Sequence, residues 1–416
     1  MNKIKISDGV NLTSISTNKF STECLSLTFL RPINTIDPSF MAILPHILLS
    51  GSKNYPSIEL ISKKLDYLYG AKIEPIIRKK GEFLCMSFVC DVIDSKFVNN
   101  ENLLKEIFDI LTDIIYNPLV ECEKFDKNIV ENEKNNLINR INSVKNDKRS
   151  YANTRMFEIM CKNEPFGLSR FGTIESAKNI DECNLFKQYN NIINNSQVEI
   201  FYCGSSDISS LDLQKIPARK SLVSKLQSVS YSPNTTEIVE TMNISQGKLS
   251  IGFRTNILAN DPLYPALAMF NTIFGGSTTS KLFENVREAM SLCYYASSNI
   301  EKIKGVMSVN SGIEVHNFEI AKEAILKQFF DIQQGNFSQQ EINSAKLTLL
   351  NNLNSAKDSK YALEDFYLGQ AICCLDDEID ELISAIDSVS KQQIIDAALM
   401  VTIDTIFFLK GDLKND

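Results

Sequence analysis

The 416-residue chain carries one pattern twice, and that duplication restricts its fold more than any single motif does. In the first half Asp37-Pro38 reads as a helix N-cap followed by proline at the first helical position, and Gly51 closes the helix 14 residues after Asp37. In the second half Asp261-Pro262 opens "DPLYPALAMFNTIFGG", and Gly275 closes it after the same 14 residues. A second landmark ends each half: a capped helix leading into an apolar strand that stops at glycine. The copies are "IDECNLFKQYN" with "VEIFYCG", and "VSKQQIIDAAL" with "TIFFLKG". Ser390 and Gln393 predict a capping box with Val389 stapled to Ile394; Asp181 and Asn184, with Ile180 and Leu185, are its earlier version. The separation between copies is 224 residues at the glycines of the first landmark, but 209 from Asp181 to Ser390 and 207 from Gly204 to Gly411. About 16 additional residues therefore sit in the first half, and the lengthened connections at 93–135 are the expected place.

Alternation and β-branched or aromatic content predict strands at 24–30, 82–92, 248–254 and 305–312. Helical patterns lie between them. The clearest runs from Ser338 to about Ser355, with a Ser338/Glu341 capping box and an apolar stripe of Ile342, Ala345, Leu349, Leu350 and Leu353. Strands followed by helix pairs argue for an α+β class, with two homologous domains of mostly antiparallel sheet packed with helices. The polar, Ser-rich stretch at 206–234 reads as a linker between an N-terminal domain at 1–205 and a C-terminal domain at 235–416.

A net charge of −8 argues against a nucleic-acid footprint, and the short basic runs Lys63-Lys64 and Arg78-Lys79-Lys80 read as solvated faces. No apolar run approaches a membrane span and the first residues lack a signal-like core, so a cytoplasmic protein without membrane partners is expected. The ten cysteines show no CxxC pair and read as buried free thiols. No P-loop, nucleophile elbow or dinucleotide fingerprint occurs, and the only two histidines, His46 and His316, lie in different halves.

The blocks "HILLSGSKNYPS" and "LDYLYGA" in the first half, and "FGGSTTSKLFENVREAMSLCYYASS" in the second, resemble the pitrilysin/insulinase type of inverzincin metallopeptidase. The resemblance extends over nearly the whole chain, duplication included. In active members the corresponding helix reads H-x-x-E-H, two histidines holding zinc and the glutamate activating water. Laid on that pattern, this sequence has Ala42 for the first histidine, Pro45 for the base and His46 for the second histidine. The downstream glutamate ligand falls in "NEKNNLINRI", at Asn139 and Arg140. An arginine repels a metal cation, and a proline inside a helix removes a donor and bends the chain. His46 is therefore read first as a hydrogen-bonded core histidine; metal binding by His46 alone or with a thiol is the other reading.

The resemblance further implies an arginine and a tyrosine, seven residues apart, that hold the substrate backbone. Arg287 and Tyr294 match in type and spacing, with Tyr295 as a neighbour to be distinguished. Cys293 lacks a recognisable histidine base, which speaks against a thiol nucleophile. Together these features imply a zinc-less, non-catalytic subunit of a heterodimeric metallopeptidase, inactive alone, binding no cofactor itself and paired with an H-x-x-E-H-bearing homologue that brings the zinc. Its substrate would be a peptide, and a homodimer is the further expectation for the chain in isolation. The alternative is a proteolytically silent peptide-binding or structural scaffold of the same fold.

Overall fold

A computed structural model describes residues 1–98, 102–220 and 234–411. The N-terminal half contains β1 (Asn2–Ser7), β2 (Val10–Ser16), β3 (Thr22–Pro32), β4 (Lys72–Lys80), β5 (Phe83–Ile93) and β6 (Gln197–Gly204), in the sheet order β1-β2-β6-β3-β5-β4. The C-terminal half contains β7 (Thr236–Met242), β8 (Gly247–Arg254), β9 (Cys293–Glu301), β10 (Val306–Ile313) and β11 (Thr402–Gly411), in the order β7-β11-β8-β10-β9. One pair in each sheet is parallel, β2 with β6 and β7 with β11; the other neighbours are antiparallel. Apart from the extra edge strand β1, the two orders are the same strand for strand. The α+β class and the duplication are present in the structure.

The helices repeat as well. The first half runs α1 (Pro38–Leu48), α2 (Ile58–Tyr67), α3 (Leu103–Tyr116), α4 (Lys127–Ser143), α5 (Lys148–Met160), α6 (Ile174–Lys178) and α7 (Glu182–Asn195). The second runs α8 (Tyr264–Phe274), a π-helix (Leu282–Ala289), α9 (Phe318–Gln333), α10 (Gln339–Ala356), α11 (Lys360–Cys373), α12 (Ile379–Asp387) and α13 (Lys391–Met400). The capping boxes read at Asp181, Ser338 and Ser390 all form. Asp261-Pro262 differs from its copy: α8 begins at Tyr264 with proline at its second position, and the Asp261 carboxylate accepts from the Leu263 N–H ahead of the helix. The additional residues are also distributed differently from the expectation. Equivalent positions are 220 apart at Ile93 and Ile313, 212 at Asp147 and Ser359, and 205 at Thr173 and Glu378. About half of the extra length thus lies between α5 and α6, outside 93–135.

The described chain divides into two compact units that are discontinuous in sequence. One holds Met1–Asn142, the described residues from 168 to 220, and Ser359–Cys374; the other holds Ser143–Gly167, residues 234–358 and 375–411. Boundaries drawn along the chain at 205 and 235 miss this, because α5 belongs to the C-terminal unit and α11 to the N-terminal one. Residues 206–220 of the expected linker pack on the N-terminal unit, where Leu211 and Ile216 join its core and the Arg219 N–H donates to Asp8 O over 2.7 Å. The remainder of that linker, 221–233, lies outside the described residues.

The central strands of each sheet bury both faces. Every residue of β6 and of β10 is buried, so each unit needs helices on two sides. In the N-terminal unit the second side is covered by α11, whose contact joins apolar packing, Tyr367 stacked on Phe201, to a polar network. Glu364 takes Arg78 in a forked pair at 2.6 and 2.7 Å and accepts from Ser26 Oγ, while Lys360 pairs with Asp91 at 2.6 Å. Arg78 is therefore no solvated residue, contrary to the reading of the Arg78-Lys79-Lys80 run; its neighbour Lys80 pairs with Asp365 at 2.8 Å. In the C-terminal unit α5 plays the same part. Met156 and Met160 press on Gly252, where a Cβ would meet their sulfurs at 2.4 and 2.6 Å. Arg254 pairs there with Asp404 at 2.9 Å and Glu164 at 2.6 Å, and Glu164 also takes Lys304. Seven cysteines are buried as expected, whereas Cys122 and Cys374 are exposed.

Removing one partner of a buried ion pair leaves the other charge unmatched, which costs about 3 kcal/mol or more. Glu364→Ala is expected to lower the urea midpoint of unfolding accordingly, with Glu364→Gln costing less because the amide oxygen still accepts from Arg78.

Candidate functional site

The N-terminal unit brings the degenerate motif together on α1 and α4. Asp37 caps α1 by accepting from the Ser39 N–H at 2.9 Å, and the helix runs through Pro45 to Leu48 without a break. Pro45 has no N–H to return to the carbonyl of Met41. Ala42 and Pro45 are buried, and His46 is half-buried. Arg140, on the last turns of α4, reaches His46 directly: its Nη1 lies 2.6 Å from His46 Nε2, and its Nη2 donates to Glu133 Oε2 at 3.4 Å. A guanidinium only donates, so Nε2 must offer its lone pair and the imidazole is neutral with its proton on Nδ1. Burial, followed by the Arg140 charge, holds His46 below the ordinary histidine range; the Glu133 charge acts in the opposite direction.

Zinc would need that same lone pair. The two other motif positions offer a methyl group and a pyrrolidine ring, and the ligand position in α4 offers a cation. The residues present do not fit a zinc ion. Among the described residues no group of three or more His, Cys, Asp or Glu side chains is placed to hold a metal.

The other two sequence candidates lie in the C-terminal unit, on two irregular elements. Arg287 belongs to the π-helix, whose closing bond runs from the Met290 N–H to Asn285 O. Wide turns of this kind recur at functional sites. Gly275 lets the chain pass close to β9 ahead of that helix: a Cβ there would meet the Ser298 backbone nitrogen at 2.8 Å. The Arg287 guanidinium sits 4.5 Å from the Phe283 ring, with Glu288 3.6 Å from Nε. Tyr294 is the extra residue of a β-bulge on the edge strand β9, since Cys293 faces Ile313 and Tyr295 faces Gly312. A bulge re-aims a side chain. Tyr294 is 62% exposed and its phenol donates to Glu314 Oε1 over 2.6 Å. That bond, and the Glu314 charge, hold its pKa above the usual tyrosine value.

The bulge also separates the two adjacent tyrosines. Tyr295 packs on Gly312, with the Arg149 guanidinium 4.2 Å from its ring centre, and burial pushes its phenol up to about 12. Cys293 is buried, and that burial pushes its thiol up, which removes the nucleophile reading. Two residues of the site escaped the sequence reading. Glu133 stands two helical turns before Arg140, a spacing that could have flagged it. Glu314 carries no local signal; only the bulge brings it to Tyr294.

Probable inactive metalloprotease YmfF of Bacillus subtilis (strain 168) is 35% identical over 409 residues, covering 97% of this chain and 96% of that protein. The chain belongs to the peptidase M16 family. The family model described as the Peptidase M16 inactive domain matches residues 183–349, a stretch that includes Arg287, Tyr294 and Glu314. A second relative, the uncharacterized zinc protease YmxG of the same strain, is 20% identical over 298 residues, 69% of this chain and 70% of its own length. Among solved structures, a conserved protein from Enterococcus faecalis V583 superposes with a TM-score of 0.92 at 29% identity, covering 100% of this chain and 99% of that one. This M16 chain is thus a relative of a probable inactive member, and its motif residues agree with that kinship.

Because His46 titrates below its ordinary value near 6.5, the unfolded chain binds more protons than the folded one in the interval between the two values. Its contribution to stability is complete above that ordinary value and is lost as the pH falls through the lower, folded one. NMR titration, with His316→Gln to assign the signals, should show His46 below the ordinary range. Arg140→Leu should move it upward, since the cation beside it is gone.

Proposed function

We propose that this chain is the zinc-less subunit of a two-chain M16 metallopeptidase, in which Arg287 and Tyr294 hold the peptide and an H-x-x-E-H-bearing homologue brings the metal and the base. The observation that carries this reading is the Arg140 side chain on the His46 lone pair. A chain whose motif histidine is tied to a cation has no means of activating water by zinc, yet the second half keeps a half-buried arginine and an exposed tyrosine at the family spacing. A guanidinium offers a planar fork of donors to peptide carbonyls and stays charged at any working pH. The phenol stands on a bulge that turns it out of an edge strand, where an extended peptide has access to backbone and side chain alike. The two Bacillus subtilis relatives, one named inactive and one a zinc protease, support a division of labour between chains.

The test is peptidase activity of this chain, of an H-x-x-E-H homologue encoded in the same genome, and of their mixture. Activity is expected in the mixture alone. Arg287→Ala should then lower kcat/KM by about 10- to 100-fold, the loss of one charged hydrogen-bonding group, and Tyr294→Phe by about three- to tenfold. Full activity of the homologue alone, unaltered by this chain or its variants, would instead leave a scaffold of the same fold. Metal analysis of the purified chain should give zinc well below one equivalent, while the homologue carries it stoichiometrically.

A further inference from the structure

Glu314 is the first residue after β10 and stands at the N-cap of a short 3-10 turn, Val315–Asn317, yet its side chain makes no cap bond. The matching residue of the other copy behaves differently. Asp94, first after β5, accepts from the Lys96 N–H, pairs with Lys96 Nζ at 2.7 Å and accepts from Ser205 Oγ at 2.6 Å. Glu314 turns instead toward Tyr294, and among the described residues no cation pairs with it. Its one side-chain partner is the phenol at 2.6 Å.

A phenol has a single O–H. Committed to Glu314, it leaves only lone pairs for anything that approaches from solvent. Arg287 has only donors. We infer that Glu314 is a positioning residue that makes Tyr294 a hydrogen-bond acceptor, so that the guanidinium takes a carbonyl and the phenol oxygen takes an N–H of one extended peptide backbone. This rests on the clamp reading above and alters it in one respect: the two side chains recognise opposite groups. Donors and acceptors alternate along the edge of an extended chain, so such a pair selects backbone in that conformation without regard to side chains. Folded or helical segments, whose backbone groups are already bonded to one another, would be refused.

The experiment is fluorescence anisotropy of a fluorescein-labelled, unstructured peptide with the assembly of this chain and its H-x-x-E-H homologue, stripped of metal to prevent cleavage. The peptide is used unmodified and as a set carrying single backbone N-methyl groups. Glu314→Ala and Tyr294→Phe are each expected to weaken binding about three- to tenfold, the effect of one hydrogen bond, and together to weaken it no further. Glu314→Gln, which still accepts from the phenol, should retain most of the affinity. One N-methyl position should penalise the wild type and leave Tyr294→Phe unaffected. Unchanged or tighter binding by Glu314→Ala, with Arg287→Ala weakened, would overturn this inference and leave the clamp standing. Binding indifferent to both Arg287→Ala and Tyr294→Phe, or no binding at all, would overturn the clamp and this inference with it.

Discussion

A sheet that is apolar or densely packed on both faces must be covered twice, and this requirement governs the molecule. β6 and β10 have no exposed residue, and the helices that follow each half's own strands lie on one side only. The second cover in each compact unit is a helix from the other half of the sequence, α11 in one and α5 in the other. Under α11 the contact is set by directional bonds: Arg78, Ser26 and Glu364 form one network, and Lys360 with Asp91 and Tyr361 forms another. Hydrophobic contacts tolerate sliding, whereas a forked ion pair has one geometry. The polar network therefore specifies where the helix sits, and burial supplies the driving force around it. Dividing the chain between β6 and β7 would take a covering helix from both units.

The two copies share topology and differ in local chemistry. α2 and the π-helix occupy the same place in their repeats, but only the second is wound wide. β4 pairs with β5 in uninterrupted register, whereas β9 carries the bulge at Tyr294. Asp94 is spent on its own turn and on Ser205, while Glu314 is left to reach a tyrosine. The wide helical turn and the bulge thus both lie in the copy that bears Arg287 and Tyr294. The N-terminal copy shows the complementary change. There a guanidinium satisfies the imidazole nitrogen that a metal would otherwise need, so a half-buried polar group keeps its partner and the M16 fold is retained around a motif without its chemistry.

Most of the architecture was legible in the sequence because it is written in local terms. Caps at Asp181, Ser338 and Ser390, the proline at the start of α1, the alternation of β3, β5, β8 and β10, and the 207- to 224-residue repeat all act over a few neighbours or compare like with like. The candidate site was legible only in part. Ala42, Pro45, His46 and Arg140 could be placed because the motif has fixed spacing, as could Arg287 and Tyr294. The contact of Arg140 with His46 spans 94 residues and that of Glu364 with Arg78 spans 286, and no local pattern encodes either.

By itself, then, the sequence determined a duplicated α+β chain of the M16 kind that lacks two of the three motif side chains. Tertiary structure decided the rest: which helix covers which sheet, that Arg78 is an interior charge although its run of basic residues looks solvated, that the His46 lone pair belongs to Arg140, and that Glu314 holds Tyr294. The physical reason is the same in each case. Periodicity, capping and turn chemistry are properties of short segments, whereas ion pairs and bulge-directed contacts depend on where distant segments arrive once both faces of each sheet have been buried.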